Sequence, residues 1–179
     1  MAEVIPALMA LGTGGPLNDD FRLVTVTHAQ MGEATFGIAP ADAVIYATLR
    51  AAYDDPMAGM VRDATTLARD IADKHGLAVK FADHDIFAAS INDAEATAVA
   101  RAAMDAIGVT HSEDDLPMRA SEDFGVFGWG AKAAMLCLGP GVHYAALHNP
   151  DYDFPDDLIP VGVAIFDQIA RDLCGSASA

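Results

Sequence analysis

Residues 43–81, AVIYATLRAAYDDPMAGMVRDATTLARDIADKHGLAVKF, contain the clearest succession of structural elements in the chain. Ala43 to Arg50 is rich in β-branched and aromatic residues, which predicts a strand. Asp55 and Pro56 form a typical helix start, and the apolar residues after them recur at helical spacing up to a closing glycine. Leu77 to Phe81 alternates apolar and smaller or charged residues, which predicts another strand directly after the helix.

Two more elements precede this stretch. Apolar residues at helical spacing from Val4 to Leu11 predict a short opening helix, and Leu23 to His28 has the composition of a strand. The excursion from Ala29 to Ala39 joins two neighbouring strands, which favours an antiparallel pair. The predicted fold class is therefore α+β, with two helices on one face of an antiparallel sheet. Because a short apolar helix opens the chain with no lead-in, we expect a preceding strand to be missing.

The second half predicts a further set of elements. Asn92 with Glu95 resembles a capping box and starts a helix, and a polar loop follows at Ser112 to Asp115. Ala133 to Leu138 predicts an apolar strand, and a last helix is expected to start near Pro155 to Asp157 and to run into a tail of small residues. The residues that this last helix should bury are Ile159, Val161, Ile165, Ile169 and Leu173.

Composition excludes several partners. The formal net charge is -16 and the pI is near 4.3, whereas binding to nucleic acid or to an anionic membrane needs clustered Lys and Arg. No apolar run approaches the roughly 18 to 20 residues of a membrane span, and the N-terminus lacks the basic region of a secretory signal. Cys137 and Cys174 have no metal-binding or disulfide spacing. These features predict a cytoplasmic protein with no nucleic-acid or membrane partner.

The candidate metal-binding and catalytic residues of the second half lie in two stretches. His148 stands in a loop among aspartates, so it is either an exposed loop residue or a metal ligand that those aspartates orient. The same loop lacks the turn glycine and closing Glu of an EF-hand calcium site. Glu122 and Asp123 are either catalytic carboxylates or favourable charges at a helix start.

Taken together, these motifs resemble a known family. Ala120-Ser121-Glu122-Asp123-Phe124, followed by residues 147–154, LHNPDYDF, and then residues 158–162, LIPVG, is similar to the C-terminal half of the metal-dependent amidohydrolases. That family includes hippurate hydrolases and N-acyl-amino-acid amidohydrolases and is related to zinc carboxypeptidases. Its smaller lid domain, which mediates dimerisation, carries a histidine run and a strand ending in Arg, and His28-Ala29 and Arg50 match these positions.

The resemblance implies a role for each residue. His148 matches the family's C-terminal metal-ligand histidine, and the implied cofactor is a divalent metal, zinc or manganese. His28 resembles the lid histidine that reaches across a dimer to polarise the scissile carbonyl. Arg50 resembles the arginine that holds the substrate carboxylate, and Glu122 and Asp123 match a supporting motif near the site.

The resemblance also implies a division of the chain and a set of partners. Residues 1–86 correspond to a lid or dimerisation domain lacking its first strand, and residues 87–179 to the C-terminal portion of an incomplete α/β catalytic domain. The implied partners are a second copy through the lid-like sheet, a separate N-terminal half, and an N-acyl amino acid or small carboxylate. The lid's usual Asn is replaced by Gly37, and Gln30 and Met31 are among extra residues after His28.

Three functions remain open from the sequence. The chain is part of a metal-dependent hydrolase of amide bonds in N-acyl amino acids or peptides, inactive alone because it lacks most of the family's metal ligands and the general base. Alternatively, it is a truncated, non-catalytic dimerisation module. A third possibility is an acidic domain that binds a carboxylate through His28 and Arg50.

Overall fold

The computed structural model describes residues 1–114 and 116–175 and has the predicted mixed α+β class. Its elements are α1 (Val4–Met9), β1 (Arg22–Met31), β2 (Ala43–Ala51), α2 (Asp54–Lys74), α3 (Ala94–Ala106), a 3₁₀ helix (Asp123–Trp129) and α4 (Leu158–Cys174). Asp115, which ends the predicted polar loop, and the small-residue tail at 176–179 lie outside the described residues.

The chain divides into two compact units. The first contains residues 1–89 together with residues 117–121, and the second contains residues 90–116 together with the chain from Glu122 onward. The segment that immediately precedes the Glu122-Asp123 motif therefore belongs to the first unit, while the motif itself belongs to the second.

In the first unit, α1 and α2 pack on one face of the β1–β2 ribbon, as predicted. The buried centre of this unit is formed by Leu8, Val24, Met60 and Ala64, which come from α1, β1 and α2. Ala47, Leu49 and Ala51 of β2 pack against the same cluster. Because successive side chains of a strand point to opposite faces, the residues between them lie on the face away from the helices.

The two strands pair antiparallel over almost their whole length, from Arg22 opposite Ala51 to Met31 opposite Ala43. The predicted excursion after His28 starts later than expected, because β1 continues as a strand to Met31. The loop between the strands is correspondingly shorter, and it carries the fully exposed Phe36.

Helix α2 confirms the predicted helix, although its start differs in detail. Tyr53 rather than Asp55 occupies the N-cap position and makes no side-chain cap bond. Asp54 Oδ1 accepts a hydrogen bond of 2.7 Å from the backbone N–H of Ala89, so this carboxylate holds the end of the following segment. Gly76 ends the helix with a φ of 65°, as a C-terminal glycine should.

The strand predicted at Leu77 to Phe81 is wrong. Within the described residues the sheet has only two strands, β1 and β2, and the 77–81 segment is not one of them. Leu77 N–H bonds instead to the carbonyl of Ala72, and the Phe81 ring lies 5.4 Å from the Arg69 guanidinium. A strand composition does not form a strand without a partner backbone to complete its hydrogen bonds.

In the second unit, α3 packs against α4. Asp93, not the predicted Asn92, caps α3: its Oδ1 accepts hydrogen bonds of 2.9 Å from the N–H groups of Glu95 and Ala96. Asn92 has another role, because its side-chain amide both accepts from the Met135 N–H and donates to the Met135 carbonyl.

The strand predicted at Ala133 to Leu138 is also wrong, since the described residues assign no strand there. The Met135 backbone is satisfied by the Asn92 amide, and the Ala133 carbonyl accepts a bond of 2.8 Å from the Asp93 N–H. These side-chain and single backbone bonds replace the ladder that a neighbouring strand would supply.

Helix α4 buries less than its sequence predicts. Ile165 is 1% exposed, whereas Ile159 and Leu173 are 52% and 66% exposed. Val161 and Ile169 are half-buried. One packed helix covers only one stripe of its neighbour, so the remaining apolar residues of α4 stay open. None of the helices in the described part of the chain is long and apolar enough to cross a membrane.

Candidate functional site: an open ribbon face and a loop histidine

A β-bulge sets the orientation of His28. Val26 pairs with Ala47 and His28 pairs with Tyr46, so Thr27 is an extra residue in β1. In an unbroken register His28 would stand opposite Ile45, on the face that the helices cover. The bulge turns His28 to the open face, because a shift of one residue exchanges the two faces of a strand.

His28 is exposed on this open face next to Tyr46. Their ring centroids are 5.2 Å apart and the rings are tilted by 46°. The Thr27 hydroxyl donates a long hydrogen bond of 3.4 Å to the Tyr46 carbonyl. The imidazole is therefore accessible to a ligand and is positioned from one side by an aromatic ring.

Arg50 lies on the same open face. In β2 it is four residues from Tyr46, and Thr48 stands between them on that face. Four residues of antiparallel strand span about 13 Å, which gives the separation of His28 and Arg50 along the ribbon. Arg50 Nη1 donates a hydrogen bond of 2.6 Å to the backbone carbonyl of Arg119, so one corner of its guanidinium is fixed.

Arg119 extends this arrangement within the first unit. Its guanidinium donates to the carbonyl of Gly15 and lies 5.3 Å from the centre of the Phe21 ring. Phe21 is itself only 2% exposed. Two contacts therefore hold segment 117–121 in the first unit. The Arg119 carbonyl accepts a hydrogen bond from Arg50, and the Arg119 side chain contacts Gly15 and Phe21.

His148 belongs to the second unit and lies in a tight turn. Its φ is 72°, in the left-handed region that residues other than Gly seldom adopt. The Asn149 N–H bonds to the Ala146 carbonyl and the Tyr152 N–H bonds to the Asn149 carbonyl, both at 3.0 Å. These bonds hold the turn, and the imidazole stands exposed on it.

Glu122 and Asp123 stand at the start of the 3₁₀ helix. Glu122 is extended at φ -140° and ψ 154° and makes no side-chain cap bond, while Asp123 lies in the first turn. Both carboxylates are exposed. Phe124 and Phe127 follow, with ring centroids 5.3 Å apart. Hydrogen-bonded capping of the 3₁₀ helix therefore does not explain why a glutamate stands at position 122.

The structure thus places two of the five predicted residues on the same face, about 13 Å apart along the ribbon. His28 and Arg50 share one face of one ribbon, whereas His148, Glu122 and Asp123 belong to the other unit. Among residues 1–114 and 116–175, no three His, Cys, Asp or Glu side chains form a group that could hold a metal ion. His148 and its acidic neighbours by themselves do not fit a catalytic metal, which needs about three protein ligands.

The second unit also has an apolar groove of about 350 Å³. Leu138, Tyr152, Phe154 and Phe166 line it, together with residues of the first turns of α4. With its apolar lining and no ionisable acid or base other than the Tyr152 hydroxyl, it supports no chemistry of its own.

Sequence reasoning missed two features of the open face. The first is the bulge at Thr27, which no residue pattern announces. The second is Arg119, whose position directly before Ala120-Ser121-Glu122-Asp123 was a usable signal.

Comparison with known families identifies the chain. Residues 5–172 match the model of peptidase family M20/M25/M40. Comparison with curated proteins and with solved structures gives no match.

Proposed function

The chain belongs to peptidase family M20/M25/M40, whose members are hydrolases of the peptidase and amidohydrolase type and generally depend on divalent metal. From that premise we propose that the chain supplies the substrate-recognition face and one metal-ligand histidine of a hydrolase that cleaves amide bonds in N-acyl amino acids or peptides. The other metal ligands and the general base would come from polypeptide outside residues 1–179.

The shared open face of His28 and Arg50 is the observation that carries the proposal. Arg50 uses one N–H on the Arg119 carbonyl, which leaves the other donors of its guanidinium for a carboxylate. A planar guanidinium binds a carboxylate through paired hydrogen bonds, so Arg50 would hold the free carboxylate of the substrate.

His28 would then act at a distance from the carboxylate. An imidazole donor aimed at a carbonyl oxygen stabilises the negative charge that develops there during attack on an amide. The separation of about 13 Å along the ribbon is longer than one amino acid residue, which spans about 3.5 Å. His28 therefore suits a substrate held by another copy of the chain, in agreement with the proposed dimer through the lid-like sheet.

The metal site is the part that this chain does not complete. His148 is exposed and fixed in its turn, as a ligand contributed to a shared site would be. Because its described surroundings offer no second and third ligand in reach, we assign to this chain only the histidine and its orientation. Zinc and manganese remain the proposed metals.

Complementation tests this function. The chain is mixed with an N-terminal polypeptide of the same family that carries the remaining ligands, and hydrolysis of N-acyl amino acids is followed with zinc or manganese present. Restored activity that is lost with His148→Ala and retained with His143→Ala supports the proposal. Activity that survives His148→Ala contradicts it.

A second candidate, a non-catalytic carboxylate-binding domain, is favoured because the described residues contain no group of three potential metal ligands. Carboxylate binding that is unchanged by His148→Ala, together with failure of complementation, would favour this second function.

A further inference from the structure

Two arginines of the first unit, Arg50 and Arg119, are joined by a hydrogen bond in an otherwise strongly acidic protein. Arg50 Nη1 contacts the backbone carbonyl of Arg119 at 2.6 Å. The distance between the two guanidinium groups is therefore at most this contact plus the reach of the Arg119 side chain from its own carbonyl. A ligand of a few atoms can bridge that distance.

The Arg119 side chain is held in place before any ligand binds. Its guanidinium donates to the Gly15 carbonyl and stacks near the buried ring of Phe21. A cation over an aromatic face is attracted by the ring, and the contact also restricts the long side chain. Little side-chain entropy remains to be lost when an anion binds, which favours recognition.

Among the residues that the structure describes, no carboxylate forms an ion pair with either guanidinium. The sequence has 26 Asp and Glu residues against 10 Lys and Arg. Within the part of the chain that the structure describes, Lys74, Arg101, Lys132 and Arg171 make ion pairs with acids, whereas Arg50 and Arg119 bond only to backbone carbonyls. Carbonyl contacts position a guanidinium without cancelling its charge, so both arginines keep a positive charge available to an anion.

We propose that Arg50 and Arg119 together form a site for two anionic groups, and that Arg119 selects ligands that carry a second carboxylate. The inference rests on the proposed function for the role of Arg50 and adds the substrate class: N-acyl amino acids with an acidic side chain. The α-carboxylate would pair with Arg50 and the second carboxylate with Arg119.

Binding measurements on the intact chain test this site without requiring hydrolysis or metal. N-acetylglutamate and N-acetylalanine are titrated by isothermal calorimetry or NMR at low salt, against the natural chain, Arg119→Gln, Arg50→Lys and a control, Arg62→Gln. Arg62 is an exposed arginine on α2 in the same unit. Circular dichroism and thermal unfolding of each variant establish that it is folded.

We expect N-acetylglutamate to bind at least about tenfold tighter than N-acetylalanine. Arg119→Gln should remove that preference and leave N-acetylalanine binding unchanged, Arg50→Lys should weaken both ligands, and Arg62→Gln should affect neither. Equal binding of the two ligands, or equal weakening of both by Arg119→Gln, overturns the role of Arg119.

The failure of this inference is distinguishable from failure of the proposed function. Binding of both ligands through Arg50 without a preference for the second carboxylate defeats only the Arg119 assignment. Absence of binding by either ligand, or binding that Arg50→Lys does not weaken, defeats the carboxylate role of Arg50 and with it both proposals.

Discussion

His148 combines an exposed imidazole with a backbone conformation that costs energy. A left-handed conformation costs a residue with a Cβ roughly 1 to 2 kcal/mol, and the φ of 72° places His148 there. Gly141, a few residues upstream, has a φ of 100°, so the same loop already uses glycine where a positive φ is needed. A histidine kept at such a position is consistent with a functional requirement for its side chain.

Comparison of two substitutions at His148 isolates the energetic cost of its left-handed backbone conformation. His148→Gly should be more stable than His148→Ala by about 1 kcal/mol, because glycine adopts positive φ without a Cβ clash. Urea denaturation measures both. At His143, which is not among the positive-φ residues of the described chain, the order should reverse, with the alanine variant the more stable. A His148→Gly protein less stable than His148→Ala would contradict the strain.

Glu3 forms pH-dependent ion pairs within the first unit. Its carboxylate bonds to Lys74 at 2.6 Å and to His75 at 2.7 Å. The hydrogen bond with Lys74 is the largest cause that lowers the pKa of Glu3 from 4.5 to about 2, and the hydrogen bond with His75 is the next largest. Since the folded-state pKa is the lower one, the stabilisation is present above about 4.5 and is lost as the pH falls toward 2.

The expected consequence is a stability difference between the natural chain and Glu3→Gln that is present at neutral pH and shrinks across this acid window. Denaturation midpoints between pH 7 and pH 3, at low and high salt, measure it, and the difference should be smaller at high salt because the carboxylate is exposed. Glu33→Gln serves as the control on an exposed loop. A Glu3→Gln difference that grows as the pH falls below about 4.5 would contradict the ion-pair assignment.

The elements depend on side-chain caps and on a bulge that local sequence only partly reveals. Helix α3 begins at Asp93, whose carboxylate satisfies two N–H groups of the first turn. Helix α4 begins after Asp157, whose side chain makes no such bond. The two aspartates are therefore matched in residue type and position but differ in the contact they make.

Alanine substitutions at Asp93 and Asp157 should distinguish the effect of the cap hydrogen bonds from the effect of losing an aspartate at a helix start. Asp93→Ala should lower the free energy of unfolding by about 1 kcal/mol, whereas Asp157→Ala should change it by less than about 0.5 kcal/mol. Chemical denaturation of both variants provides the measurement. Equal losses would show that the cap bonds of α3 do not contribute as the geometry implies.

Local sequence patterns correctly predicted elements whose structure depends on a single segment. They failed for elements whose structure depends on contacts with another segment. The apolar stripe after Asp55 and Pro56 was enough to predict α2, because a helix satisfies its backbone internally. Leu77 to Phe81 and Ala133 to Leu138 have strand composition, but a strand needs a partner, which composition does not supply. The face of His28 depended on one extra residue, and the φ of His148 on the geometry of its turn, so neither was predictable.

At the scale of the whole molecule, large apolar side chains remain on the surface of both units. Phe36 and Ile38 in the β1–β2 loop are 102% and 73% exposed, and Val142 in the second unit is 94% exposed. Exposed apolar surface and open strand edges favour association. The proposed dimer through the ribbon would cover part of the first unit.

Sedimentation velocity over a range of concentrations should therefore detect self-association. Phe36→Ser combined with Ile38→Ser should weaken it, because this loop joins the two strands of the ribbon, while Val142→Ser should leave it unchanged. A chain that stays monomeric at every concentration, or a dimer that only Val142→Ser disrupts, would contradict association through the ribbon.

Zinc binding by the purified chain tests the proposed division of the metal site most directly. Equilibrium dialysis or competition with a chromogenic chelator at micromolar zinc should find no tightly bound, near-stoichiometric metal, since one histidine and its acidic neighbours fall short of the ligands that zinc needs. One zinc per chain, bound tightly and lost with His148→Ala, would show that residues 1–179 complete the site by themselves and would contradict the account.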